Sequence, residues 1–138
     1  MIETVLVPVD GSSPAQEAIK YTQAVFPDTT ITLLTVIDPA DGFAGYSGDD
    51  GGNWKKRAKA EAESLLSDAQ AEFMSPEKIR TSAVVGDPVE TIIATVETEN
   101  IDQVVMGSHG RDGIQRLLVG SVAEQVMRKA PAPVTITR

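Results

Sequence analysis

Val5-Leu6-Val7-Pro8-Val9-Asp10-Gly11-Ser12-Ser13-Pro14-Ala15-Gln16 passes from a strand to a helix within a few residues, and the rest of the chain repeats that step. The unbroken apolar run Val5–Val7 fits a strand covered on both faces, as strands of parallel sheets are. Ser13 is placed to cap the helix, Pro14 takes the first helical position, and Gln16 stands where a capping box closes. Ala15, Ala18, Ile19, Thr22, Val25 and Phe26 then recur at helical spacing.

Working outward, Ile31 to Ile37 predicts a second strand, and a helix from about Trp54 to Phe73 carries Ala58, Ala62, Leu65 and Ala69 on one face. Ile79 to Val85 predicts a third strand. Asp87-Pro88-Val89-Glu90 repeats the cap, with Val89, Ile92, Ile93 and Val96 as the apolar stripe. Val104 to Met106 is the fourth strand, Val122 to Ala130 the last helix and Val134 to Thr137 the fifth strand. Strict alternation implies right-handed crossovers and an α/β, three-layer, doubly wound parallel sheet in one domain spanning residues 1–138. Strands one, two and four are nearly continuous in apolar residues, whereas three and five alternate with polar ones. Alternation marks a half-covered edge, so the expected order is 3-2-1-4-5. In that order the topological switch falls between strands one and four. Ligands of such sheets bind outside the carboxyl ends of the strands at the switch, which points to the loops after Val9 and Met106.

The 138 residues, 14.7 kDa, suffice for a core without a metal or disulfide staple. There is no cysteine and one histidine, which excludes disulfides, thiol catalysis and Cys-ligated metal centres. No apolar run approaches a membrane span and no signal peptide is visible, so a cytoplasmic protein is expected, with no membrane partner. The net charge of −8 argues against nucleic acid as a partner. Residues 101–138 nevertheless carry +2, through Arg111, Arg116, Arg128, Lys129 and Arg138, a local field suited to a small anion. Asp38 to Asn53, with five glycines and four aspartates, predicts a loop without regular structure that serves as a flap or a plain insertion. It lacks the spacing of a calcium-binding EF-hand loop.

The predicted site holds Gly107-Ser108-His109-Gly110, nine further residues, then Gly120-Ser121. Glycines beside the turn let backbone approach a ligand, and the start of the last helix offers unpaired N–H groups to an anion. Ser121-Val122-Ala123-Glu124 also reads as an ordinary capping box. Placed together at the switch point, the two stretches read as a set of donors for a triphosphate, with the Ser108 and Ser121 hydroxyls added.

This pattern resembles the nucleotide-binding class of the universal stress protein family, whose signature G-x2-G-x9-G-[ST] is matched by Gly107, Gly110, Gly120 and Ser121. The likeness extends to Val5–Ser12, Val36-Ile37-Asp38, Val85-Gly86-Asp87-Pro88 and Pro133-Val134, so it covers everything except the 38–53 loop. The resemblance implies that Pro8, Val9 and Asp10 line the adenosine of ATP and that Val36 gives backbone contacts to the adenine edge. It places Met106 beside the nucleoside. Gly107, Ser108, His109 and Gly110, with Gly120, Ser121, Val122 and Ala123, would hold ribose and phosphates. A divalent ion, Mg2+ or Mn2+, would ride on the phosphates without a protein cage. Ala123 departs from the threonine of some ATP-binding members, which removes one hydroxyl contact. The resemblance also implies a homodimer through strand 134–137, whose predicted exposed edge invites pairing with a second copy.

Single residues have plainer readings. Asp10 is either a ligand contact or a helix cap, His109 chiefly a loop residue offering backbone, and Trp54 a core or helix anchor. Arg111 and Arg116 either reach phosphates or stay solvated. The chain has no G-x-x-x-x-G-K-[ST] and no G-x-G-x-x-G, and no lysine between Lys78 and Lys129. No activated nucleophile or water-positioning pair accompanies the glycines, so binding is expected rather than turnover. A slow ATPase, or an interaction protein that takes another adenine nucleotide such as cAMP, are the rival readings.

Overall fold

The computed structural model describes residues 1–40, 53–108 and 119–138; most of the predicted 38–53 loop lies outside them. Strands β1 (Thr4–Pro8), β2 (Thr30–Ile37), β3 (Ile79–Val85), β4 (Gln103–Gly107) and β5 (Val134–Thr137) alternate with helices α1 (Ser13–Val25), α2 (Asn53–Ala71), α3 (Pro88–Thr98) and α4 (Ser121–Lys129). The five strands form one parallel sheet in the order β3-β2-β1-β4-β5, as the apolar patterning predicts. A 3-10 turn, Pro76–Lys78, leads into β3 where the sequence pattern predicts no element.

Each face of the sheet has its own core. Val5, Val7, Leu33 and Val105 point to one face, where they pack with Ala18 and Ile19 of α1, Leu66 and Ala69 of α2, and Phe73 just beyond it. Leu6, Leu34, Val104 and Met106 point to the other, against Ile92 and Val96 of α3 and Ala123 and Val126 of α4. Alternate residues of one strand therefore serve opposite cores, which is why the central strands read as continuous apolar runs.

Three local expectations change. The α1 cap is Ser12, not Ser13: its backbone is extended and its Oγ accepts from Ala15 N–H at 3.3 Å, so Ser13 already lies within the helix. On α2 the inward stripe is Ala62, Leu66, Ala69, and Leu65 sits half-buried on its shoulder, because a helical repeat of 3.6 carries Leu66, not Leu65, beneath Ala62. The alternation expected of the edge strands does not carry into burial: in β3 Thr81, Val84 and Val85 are exposed while Ser82 and Ala83 are half-buried, and all four residues of β5 are half-buried, each strand having a neighbour on one side only. The expected cap of α3 is present, with the Asp87 carboxylate accepting from Glu90 N–H at 2.9 Å.

The central pair is clamped at the end away from the predicted site. Asp102 Oδ2 accepts from the N–H groups of Glu3 (2.9 Å) and Thr4 (3.0 Å). These two backbone donors hold the Asp102 carboxyl below its ordinary value of 3.8. A depressed carboxyl contributes stability above its unfolded value and loses it as pH falls through the folded one. Asp102→Ala is therefore expected to lower Tm at pH 7, and the gap from the unmodified protein should close as melts are repeated below pH 3.8. A gap that persists unchanged at low pH would remove the charge from the explanation.

Candidate functional site

At the switch point the chain leaves β1 and β4 toward opposite faces, and the site grows from those two exits. Beyond β1, Val9 N–H donates to Leu34 C=O at 2.8 Å and Val9 C=O accepts from Thr35 Oγ1 at 3.0 Å, so both backbone groups of Val9 are held by β2. Asp10 Oδ1 accepts from Ser12 N–H at 2.9 Å. That bond tightens the turn through Gly11, whose φ of +83° is left-handed and suits glycine. Pro8 and Asp10 are half-buried at this exit.

At the β4 exit, Met106 and Ser108 are buried and Gly107 is half-buried. Ser108 N–H donates to Thr137 C=O at 2.7 Å, and Ser108 C=O accepts from Gly120 N–H. The second bond joins the end of β4 directly to the start of α4 across ten chain positions for which no placement is described. Gly120 is the N-cap of α4, with an extended backbone and no side-chain cap, and its C=O accepts from Glu124 N–H at 2.9 Å. The capping box expected from Ser121 is thus displaced by one residue: Ser121 is the first helical residue, and glycine has no side chain with which to cap. The N–H groups of Ser121, Val122 and Ala123 have no acceptor within the helix, by position alone. They lie at the positive end of its dipole, while Arg128 and Lys129 sit at the negative end.

Several predicted residues meet on the α3–α4 side of the sheet. Met106 and Ala123 belong to that core, and Val36 and Val122 pack half-buried against it. Ala123 turns its methyl into the core and can offer a ligand its amide only. Val9 does not join them, since its side chain belongs to the opposite core with Ala15 and Leu33. His109 and Gly110, with Arg111 and Arg116, lie outside the described residues. Trp54 is half-buried at the start of α2. Among the described residues no three His, Asp or Glu side chains are grouped as metal ligands.

Two contributors escaped the sequence reading. Thr137, at the end of β5, accepts the Ser108 N–H through its carbonyl and donates its Oγ1 to Pro14 C=O at 2.9 Å and Met106 C=O at 3.3 Å. One residue thereby ties α1, β4 and β5 together beneath the site. Thr137→Val keeps the shape and removes the donor, and a loss of about 1 kcal/mol is expected in urea melts. The second is Pro14 itself, whose ring and carbonyl carbon lie against Gly107. Neither contact leaves a local pattern in the chain, because the partners are separated by 123 residues for Thr137 and Pro14.

The sequence matches the profile of the Universal stress protein family across residues 1–138. It is 29% identical to universal stress protein MJ0577 of Methanocaldococcus jannaschii, over 100% of this chain and 96% of that protein. The solved structure of MJ0577 superposes with a TM-score of 0.86, covering 99% of this chain and 96% of that one at 30% identity. Universal stress protein UspA of Lactobacillus plantarum gives a TM-score of 0.77 at 28% identity, covering 99% and 97%. A universal stress protein solved in complex with cAMP shares the fold at 24% identity, with a TM-score of 0.71 over 99% of this chain and 97% of that one. Among the described residues no helix is long and apolar enough to cross a membrane.

Proposed function

The chain belongs to the universal stress protein family, and from that premise we propose that it binds an adenine nucleotide, ATP first, at the exits of β1 and β4. The observation that supports this most is the bond from Gly120 N–H to Ser108 C=O. It brings the turn after β4 and the start of α4 to one place, at the switch point where sheets of this class hold ligands. The phosphates sit at the α4 N-terminus, on the amides of Ser121, Val122 and Ala123 and the Ser121 hydroxyl. The amides of Ser108 and Gly120 already serve Thr137 and Ser108, so they position the donors and are not themselves donors to phosphate. The nucleoside lies along Val36 and Met106, with Pro8 and Asp10 at its ribose side. Val9 contributes shape through its backbone only. A divalent ion such as Mg2+ or Mn2+ would supply charge neutralisation at the phosphates and would be held by them, since no three His, Asp or Glu side chains are grouped as ligands among the described residues.

The role that fits this site is a nucleotide-dependent regulator or protective factor of the cytoplasm, working as a homodimer through the outer edge of β5. That strand pairs with β4 on one side only. The sequence offers no activated nucleophile or water-positioning pair beside the glycines, which favours binding over turnover. A related structure carrying cAMP makes that ligand the second candidate, and its single cyclic phosphate needs fewer of the α4 amides.

Mass spectrometry of nucleotide released from freshly purified protein, with calorimetric titration of ATP, ADP and cAMP, tests the reading. ATP is expected to bind most tightly, and sedimentation at micromolar concentration to give a dimer. Absence of any adenine-nucleotide binding would overturn the assignment. Sustained phosphate release abolished by Asp10→Ala would convert it to an ATPase.

A further inference from the structure

Helices α1 and α2 cover the same face of the sheet but leave a groove between them of about 370 Å³. Its floor is apolar, formed by buried Val9, Ile19 and Ala69 with half-buried Leu65. Its α2 wall is acidic. Glu61 and Asp68, at i and i+7, lie on one side of α2, Glu72 follows in the turn just past its end, and all three line the groove and are exposed. Among the described residues no lining side chain is basic. The β1–α1 turn closes one end, where the space for a Cβ on Gly11 lies 3.1 Å from Leu65 Cδ1.

We propose that this groove is a second binding site, independent of the nucleotide reading, for a small cationic amphiphile: an apolar body with one ammonium or guanidinium head. The volume falls in the range of small-molecule sites, about 300–1,000 Å³. An apolar body gains by displacing water from the Val9–Ile19–Leu65–Ala69 floor. The head is drawn to the carboxylates of α2, which repel any phosphate or carboxylate seeking the same floor. Charge therefore separates this groove from the α4 N-terminus: the two sites take ligands of opposite sign.

The test uses three probes that share one body, 4-phenylbutylamine, 4-phenylbutan-1-ol and 4-phenylbutyrate, followed by calorimetry and amide chemical-shift mapping on the full chain. The amine is expected to bind with a Kd of about 1 mM or tighter. It should bind about tenfold more tightly than the carboxylate, with shifts confined to residues 9–19 and 61–72 and an affinity that falls as NaCl is raised. Glu61→Gln, Asp68→Asn and Glu72→Gln combined should erase the amine's advantage over the alcohol and leave the alcohol bound. Ser64→Trp, at an exposed position of the same wall, should fill the groove and abolish amine binding with Tm unchanged. Equal binding of amine and carboxylate, shifts elsewhere, full amine binding by Ser64→Trp or no amine binding at all would each overturn the proposal. Titrating ATP into the same variants reads the nucleotide site separately, so the failure of one proposal is not the failure of the other.

Discussion

Replacing Gly107 with alanine is expected to destabilise the protein by about 3 kcal/mol, which for a chain of this size lowers Tm by about 10 °C. A Cβ at position 107 would lie 2.7 Å from Pro14 Cβ, 2.8 Å from the Pro14 carbonyl carbon and 2.9 Å from Ala15 N. Two of those three atoms are backbone, so no rotamer change relieves the contact. The first turn of α1 would have to lift from β4, yet Thr137 Oγ1 holds it down through Pro14 C=O at 2.9 Å. Glycine is thus needed at 107 for the approach of a helix, whatever the ligand requires. Gly86→Ala is the matched control. Its added Cβ meets only Thr91 Oγ1, at 2.8 Å, the end of a side chain that can rotate, and a cost below about 1 kcal/mol is expected. Thermal melts of the two variants side by side decide the matter. Equal, small shifts would mean that α1 does not rest on β4 as described.

The other large effect is expected on affinity. Ser121→Asp should weaken ATP binding by about 10- to 100-fold while leaving Tm unchanged or slightly raised. Ser121 is exposed at the first position of α4, and the Gly120 cap offers no side-chain acceptor. A carboxylate there complements the helix dipole, worth about 0.3–1 kcal/mol of stability. The same carboxylate placed about 4 Å from a phosphate costs about 1–4 kcal/mol in a partly screened setting, which spans the stated range of affinity. Stability and binding therefore move in opposite directions, a combination that simple misfolding cannot mimic. Ser121→Ala, which removes only the hydroxyl donor and keeps the amide, should leave Tm unchanged and weaken ATP binding by less than Ser121→Asp does. Unchanged ATP affinity in Ser121→Asp, measured by calorimetry, would place the phosphates somewhere other than the start of α4.

Much of the fold was legible because the physics that dictates it is local. Val5–Val7 and Val104–Met106 read as doubly covered strands since their apolar residues run on without polar alternation, and the Asp87-Pro88 cap announces α3 within four residues. The polar alternation of β3 and β5 sufficed to set them at the edges and to fix the switch point. Errors arose where two neighbouring residues carry the same chemistry: Ser12 against Ser13, Leu65 against Leu66. Either of each pair satisfies the pattern, and the choice depends on a rotation of the helix set by what it packs against.

The candidate site divides along the same line. Gly107, Gly120 and Ser121 announce themselves by spacing, and their meeting follows from the strand order. Position in the chain does not reveal that Val9 faces the opposite core from Met106, although both follow apolar strands toward the same end. It does not reveal that Ser108 and Gly120 spend their amide hydrogens on Thr137 and Ser108.

Hydrophobic periodicity, capping residues and glycine spacing determined the order of elements, the parallel sheet and the neighbourhood of the site, because each depends on residues a few positions apart. Only the tertiary structure decided which serine caps α1, which amides remain to meet an anion, why Gly107 admits no side chain, and that an acidic groove opens between α1 and α2. Those outcomes depend on distances between segments far apart in the chain, and packing two cores against one sheet sets them all at once.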